Sequence, residues 1–132
     1  MLVRAGLVIL GLVHLANGLW MLAAPGAWYA AIPGVAMTGP FNHHFIEDIG
    51  LIFIASGTGL LLGARPSHSA AIIAMAGATW PALHALLHLC EWIRHGLPAS
   101  PAELASTGIG VIVVGAAGAA FAWLRVKQIG VA

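Results

Sequence analysis

Charge is what this chain has least of. Its 132 residues include five Lys or Arg and four Asp or Glu, 7% charged in all, against roughly 25% in a soluble domain. The formal net charge of +1 provides no basic patch, so nucleic acid is not an expected partner. Cys90 is the single cysteine, which excludes an intrachain disulfide and any CxxC-type metal or redox site. Met21, Met37 and Met75 show no clustered spacing, so a methionine-lined copper path is not expected. No serine–histidine–acid arrangement and no phosphate-binding glycine loop occurs.

Apolar sequence takes the place of charge: 61% of residues are hydrophobic and the mean hydropathy is +0.98. A span of the hydrocarbon core needs roughly 20 apolar residues, and four such runs are present. They cover about 2–24, 41–64, 69–93 and 104–124, separated by Pro25-Gly26 through Gly39-Pro40, by Arg65-Pro66, and by Gly96 through Pro101. In hydrocarbon only helices and closed barrels satisfy their backbone polar groups. The expected fold is therefore all-α, an integral-membrane four-helix bundle forming a single transmembrane domain over 1–132. Pro81 lies inside the third run and predicts a kink there, because it removes a backbone hydrogen bond and crowds the preceding turn.

Arg4, Arg65, Arg125 and Lys127 fall on one side of this arrangement and Arg94 alone on the other. The positive-inside rule then places both termini in the cytoplasm. Trp28 and Tyr29 belong at the outer interface on this reading, and Trp20, Trp80, Trp92 and Trp123 lie near helix ends. Four Arg to one Lys, with abundant Ala and Gly, suits a GC-rich bacterial genome and hence a multi-pass protein of the bacterial inner membrane. Met1 to Ala27 also resembles a secretory signal, but its apolar stretch exceeds the usual 7–15 residues. An uncleaved first helix is the expectation.

Seven histidines are the other unusual feature. Ionisable groups inside a membrane are expensive, and by default they mark function. His84, His88 and Glu91 fall within an arc of about 60° on a helix with 100° per residue. His43, His44, Glu47 and Asp48 crowd the mouth of the second run, and His14 and Asn17 lie within the first. Counted from the outer ends, three helices carry polar groups at matching depths. Gly11, His14 and Gly18 share one stripe; His44, Asp48, Ala55 and Gly59 share another. Small residues let membrane helices approach closely, so these stripes are expected to face the bundle interior. The fourth run has no ionisable residue below Glu103 and is expected to buttress the site.

Imidazole and carboxylate on facing helices suit a transition metal (Zn, Fe or Cu). The expected ligands are His44, Asp48, His84 and His88, with Glu91 or Glu47 as further ligand or proton acceptor. Metal-assisted oxidation or hydrolysis of a small or lipid-soluble substrate would follow. The Glu-x-x-His order of di-iron bundles is absent. A second reading is a b-type haem between His14 and His84, with Asn17 near it. Proton movement through the His, Glu and Asp groups is a third, hindered by the apolar inner half. The alternative from another class is a structural or accessory bundle, acting as a homo-oligomer or as a subunit of a larger membrane complex. His68 and His95 fall in expected connections with no site role.

Overall fold

The computed structural model describes residues 1–128 of the chain, and the last four residues of the expected 1–132 domain lie outside them. Every regular element of the described residues is a helix, and none is a strand. Helix α1 spans Leu2–Ala23, and a short α2 (Pro25–Ala31) and a 3₁₀ turn (Val35–Met37) lead to α3 (His43–Gly63). Helix α4 runs over His68–His95. The last span, Pro101–Gln128, comprises α5 (Pro101–Thr107), a π-helical turn (Gly108–Val113) and α6 (Val114–Gln128). Four helices are thus long and apolar enough to cross a membrane, as expected of a multi-pass membrane protein, and each expected run matches one of them.

Polar side chains mark the helix starts. Asn42 Oδ1 accepts from the Phe45 amide at 3.1 Å, and Ser67 Oγ accepts from the Ala70 amide at 3.2 Å. Ser100 caps α5, with Pro101 at its first position. These caps satisfy amides that a helix N-terminus leaves without partners. Helix α4 stops at Gly96, whose φ of 88° and ψ of 174° lie in a region essentially reserved for glycine.

Lipid offers no hydrophobic driving force between helices, so close packing has to hold the spans together. Gly11 and Gly18 of α1 face Gly57 and Gly50 of α3. A Cβ on Gly18 would lie 2.6 Å from the Gly50 carbonyl oxygen, and one on Gly57 2.7 Å from that of Gly11. Gly59 and Gly77 pack α3 against α4 in the same way, and Gly115 packs α6 against Pro81 and Ala85. The circuit closes where Phe121 of α6 lies over Gly6 of α1. Leu7, Leu60, Ala74 and Ala122 are fully buried at the centre of this half, packed with Val3, Leu10, Ala64 and Ala78. Leu12, Leu19, Leu51, Ile72, Leu83, Leu86, Ile109 and Val113 remain exposed, as side chains that face hydrocarbon do.

Candidate functional site

The dense half of the bundle lies toward the termini; the acidic side chains and all the histidines but His68 lie in the other half. His14 is 2% exposed. Its Nδ1 lies 2.8 Å from the Leu10 carbonyl oxygen, an acceptor only, so Nδ1 donates and Nε2 is left for other partners. Gly11 and Gly18 bring this stretch of α1 against α3, and the His14 ring packs beside Phe53 with centroids 5.5 Å apart. Phe53 in turn meets Trp80 edge-on at 5.0 Å, and Trp80 stacks on His84 at 4.8 Å with only 13° between the rings. His14, Phe53, Trp80, Pro81 and His84 line a partly open cleft, closed on its far side by Gly110, Val111, Val114 and Gly115. Its volume is about 20 Å³, room for about one water-sized group.

The wall from the last span depends on the π-helical turn. There the Val114 amide reaches the Ile109 carbonyl, five residues back, and the wider turn carries Gly110 and Val111 to the cleft. Such turns frequently accompany functional sites. The expectation that the fourth span only buttresses is corrected here, because four of its residues form part of the lining.

From the cleft a line of polar groups leads to the bundle end. His84 meets His88 edge-to-face with centroids 4.7 Å apart. His88 Nδ1 lies 3.3 Å from Glu91 Oε2. His84 and His88 are partly buried and Glu91 is exposed. One-turn spacing on α4 accounts for the whole line, and this stretch was legible in the sequence.

The expected four-ligand set is not assembled. His44 and Asp48 are exposed on α3, and no group of three or more His, Cys, Asp or Glu side chains among the described residues is placed to share a metal ion. The reason is the facing of α3. Its buried side carries Ile46, Gly50, Gly57 and Leu60, and each of His44 and Asp48 is two residues from Ile46, about 200° around the helix. Glu47 pairs with His43 at 3.0 Å on the surface of the same helix. Asn17 is also engaged elsewhere: its Oδ1 accepts from Trp28 Nε1 at 3.0 Å, and its Nδ2 donates to Met21 Sδ at 3.6 Å. It thereby ties α2 to α1, while Tyr29 Oη donates to the Gly39 carbonyl at 2.8 Å. His14 and His84, paired in the haem reading, do share one cleft, but its volume is far below that of a porphyrin. His68 and His95 are the first and last residues of α4 and not part of connections.

Phe53 and Trp80 are site residues that sequence reading missed as a pair. The i, i+4 spacing of Trp80 and His84 on α4 was the available signal for one of them. Comparison with protein-family models, curated proteins and solved structures found no match for this chain.

Proposed function

We propose that this chain is a four-pass protein of the bacterial inner membrane, with both termini cytoplasmic, that exchanges protons with the oxygen-bearing head of a lipid-soluble molecule in its outer half. The observation that carries the reading is the double position of His84. One imidazole both lines the cleft shared with His14 and starts the line through His88 to Glu91. Imidazole is the side chain suited to taking up and releasing protons near neutral pH, and ionisable groups at this depth call for a functional reason.

A cleft of about 20 Å³ suits a single hydroxyl or carbonyl oxygen, with the rest of the molecule lying along the lipid-facing surface. A hydroxyl there donates to His14 Nε2 or to His84. The proton passes from His84 to His88 through a water or a small ring rotation and reaches Glu91 at the outer surface. Trp80, stacked on His84, holds that ring in place. A bend at Pro81, where the carbonyl of Gly77 loses its usual donor, belongs to this reading because it would widen the cleft. Arg4, Arg65, Arg125 and Lys127 at the opposite end support the orientation.

The test is imidazole ¹⁵N magnetic resonance on the full chain in lipid nanodiscs. Glu91→Gln is expected to slow proton exchange at His84 by about a hundredfold, the lower end of what a positioned acid–base group contributes. Glu47→Gln should leave His84 unchanged. Indifference of His84 to Glu91 would overturn the reading. Elemental analysis of protein purified without a histidine tag separates the metal alternative. Stoichiometric Zn, Fe or Cu lost in the His84→Ala/His88→Ala double variant would replace the proton-exchange reading with a metal site, and a Soret band would replace it with haem. An inert His84 in a bundle that stays stable without these histidines would assign a structural or accessory subunit.

A further inference from the structure

A second cleft lies at the opposite end of the bundle, among the turn from α3 to α4, the start of α1 and the end of α6. It is open, about 370 Å³ in volume, and lined by Arg4, Pro66, Ser67, His68, Arg125 and Gln128. Two guanidinium groups are fixed at its rim by carbonyls at the end of α3 and in the turn that follows it. Arg4 Nε donates to the Ala64 oxygen at 2.6 Å. Arg125 Nε donates to Gly63 at 3.3 Å and its Nη2 to Arg65 at 2.7 Å. A helix C-terminus carries partial negative charge and orphan carbonyls, which accounts for the anchoring.

These bonds hold the guanidiniums without neutralising them. Arg125 is only 6% exposed, and neither arginine has a carboxylate partner among the described residues. The four acidic side chains, Glu47, Asp48, Glu91 and Glu103, all stand at the other end of the bundle. The anchoring leaves both Nη groups of Arg4 and Nη1 of Arg125 without a protein acceptor among the described hydrogen bonds. Across the cleft, α4 begins. Ser67 caps the Ala70 amide, whereas the amides of His68 and Ser69, in the first turn, have no carbonyl within their own helix. Orientation of the chain by positive charge explains Arg65 and Lys127, which are exposed. It does not require a buried guanidinium locked on backbone oxygens, with a second one beside it and a helix start opposite.

We infer that this cleft binds a phosphate group, held by Arg4 and Arg125 on one side and by the first turn of α4 with His68 on the other. Planar guanidinium donors match phosphate oxygens, and helix starts are ready-made anion sites. Two sources carry this chemistry at a membrane surface: the headgroup phosphodiester of an anionic phospholipid, for which basic pockets between spans are known receptors, and free inorganic phosphate. The inference is independent of the proton-exchange site, which lies in the other half of the bundle.

The experiment follows the thermal unfolding of the full chain in detergent. Phosphatidylglycerol, phosphatidylcholine or inorganic phosphate is added to wild type, R4Q, R65Q and K127Q. A saturable upward shift with phosphatidylglycerol that inorganic phosphate does not reproduce is expected for a lipid headgroup; a saturable shift with inorganic phosphate as well supports the same site filled by a soluble anion. R4Q should weaken the apparent affinity by about tenfold, the scale of one charge-assisted hydrogen bond, with R65Q and K127Q close to wild type. Arg4 is exposed and anchored by one bond, so R4Q should fold, and its unfolding without additive checks this. The inference fails if no phosphate-bearing probe shifts unfolding, if phosphatidylcholine shifts it as much as phosphatidylglycerol, or if R65Q and K127Q weaken binding as much as R4Q.

Discussion

Gly18→Ala tests whether glycine contacts position both the bundle and His14. A methyl on Gly18 would sit 2.6 Å from the Gly50 carbonyl oxygen, 2.9 Å from Ile54 Cγ1 and 3.0 Å from the Ile54 amide nitrogen. Two of these neighbours are backbone atoms of α3, so no rotamer change makes room. The helices must separate by several tenths of an ångström to restore ordinary contact, and overpacking of this kind costs about 1–3 kcal/mol. Alanine's better helix propensity returns up to about 1 kcal/mol. Gly118 is the internal control, since it is buried but has nothing within 4 Å of its added methyl. Gly118→Ala should be neutral or stabilising. Reversible unfolding of the full chain in mixed micelles, followed by tryptophan fluorescence, should show Gly18→Ala less stable than wild type by about 1–2 kcal/mol, the balance of these two effects. Because Gly18 lies one turn from His14, the His14 imidazole resonance should shift in the same variant. Equal stability of Gly18→Ala and Gly118→Ala would refute the role assigned to close approach of α1 and α3.

Asn17→Ala should release the Trp28 indole, costing about 0.6 kcal/mol and at most roughly 1.7 kcal/mol, the range for polar contacts between membrane helices. A red shift in emission from protein retaining Trp28 as its single tryptophan would report the release. Arg125→Leu removes the donors to the Gly63 and Arg65 carbonyls and should lower stability by about 1–3 kcal/mol, with Arg125→Lys intermediate; both are read from the same micelle unfolding. In a Cys90→Ala background, Asn42→Cys should react with a membrane-impermeant maleimide added outside intact cells. Ser67→Cys should react only after permeabilisation, and the reverse pattern would invert the proposed orientation.

The four spans were legible because hydropathy and the Pro/Gly-rich connections between them are coarse signals that no packing detail overrides. The line of His84, His88 and Glu91 was legible for a related reason: all three lie on one helix, and one-turn spacing fixes their relation. Facing between helices was harder to read. On α3 the sequence offers two small-residue stripes, one through His44, Asp48, Ala55 and Gly59 and another through Ile46, Gly50 and Gly57. Gly11 and Gly18 of α1 settle on the second, while the first is covered only at its far end, where Gly59 meets Gly77 of α4. His44 and Asp48 are turned outward as a result. The basic residues at the other end were visible, but as an orientation signal. Their attachment to carbonyls at and just past the end of α3 needs three-dimensional neighbours sixty or more positions apart.

The π-helical turn also sets the phase of everything after it. Beyond Val113 the last helix is rotated, relative to an uninterrupted α-helix, by the one residue that the wide turn absorbs. Closing the turn to α-helical geometry with every residue kept would advance α6 by about 100°. Val114 would then take the facing that Gly115 now has, its side chain driven onto the Pro81 carbonyl, and Arg125 would swing off the end of α3. The residue absorbed in the wide turn therefore keeps both clefts, ten or more positions apart along the same span, aligned with their partners.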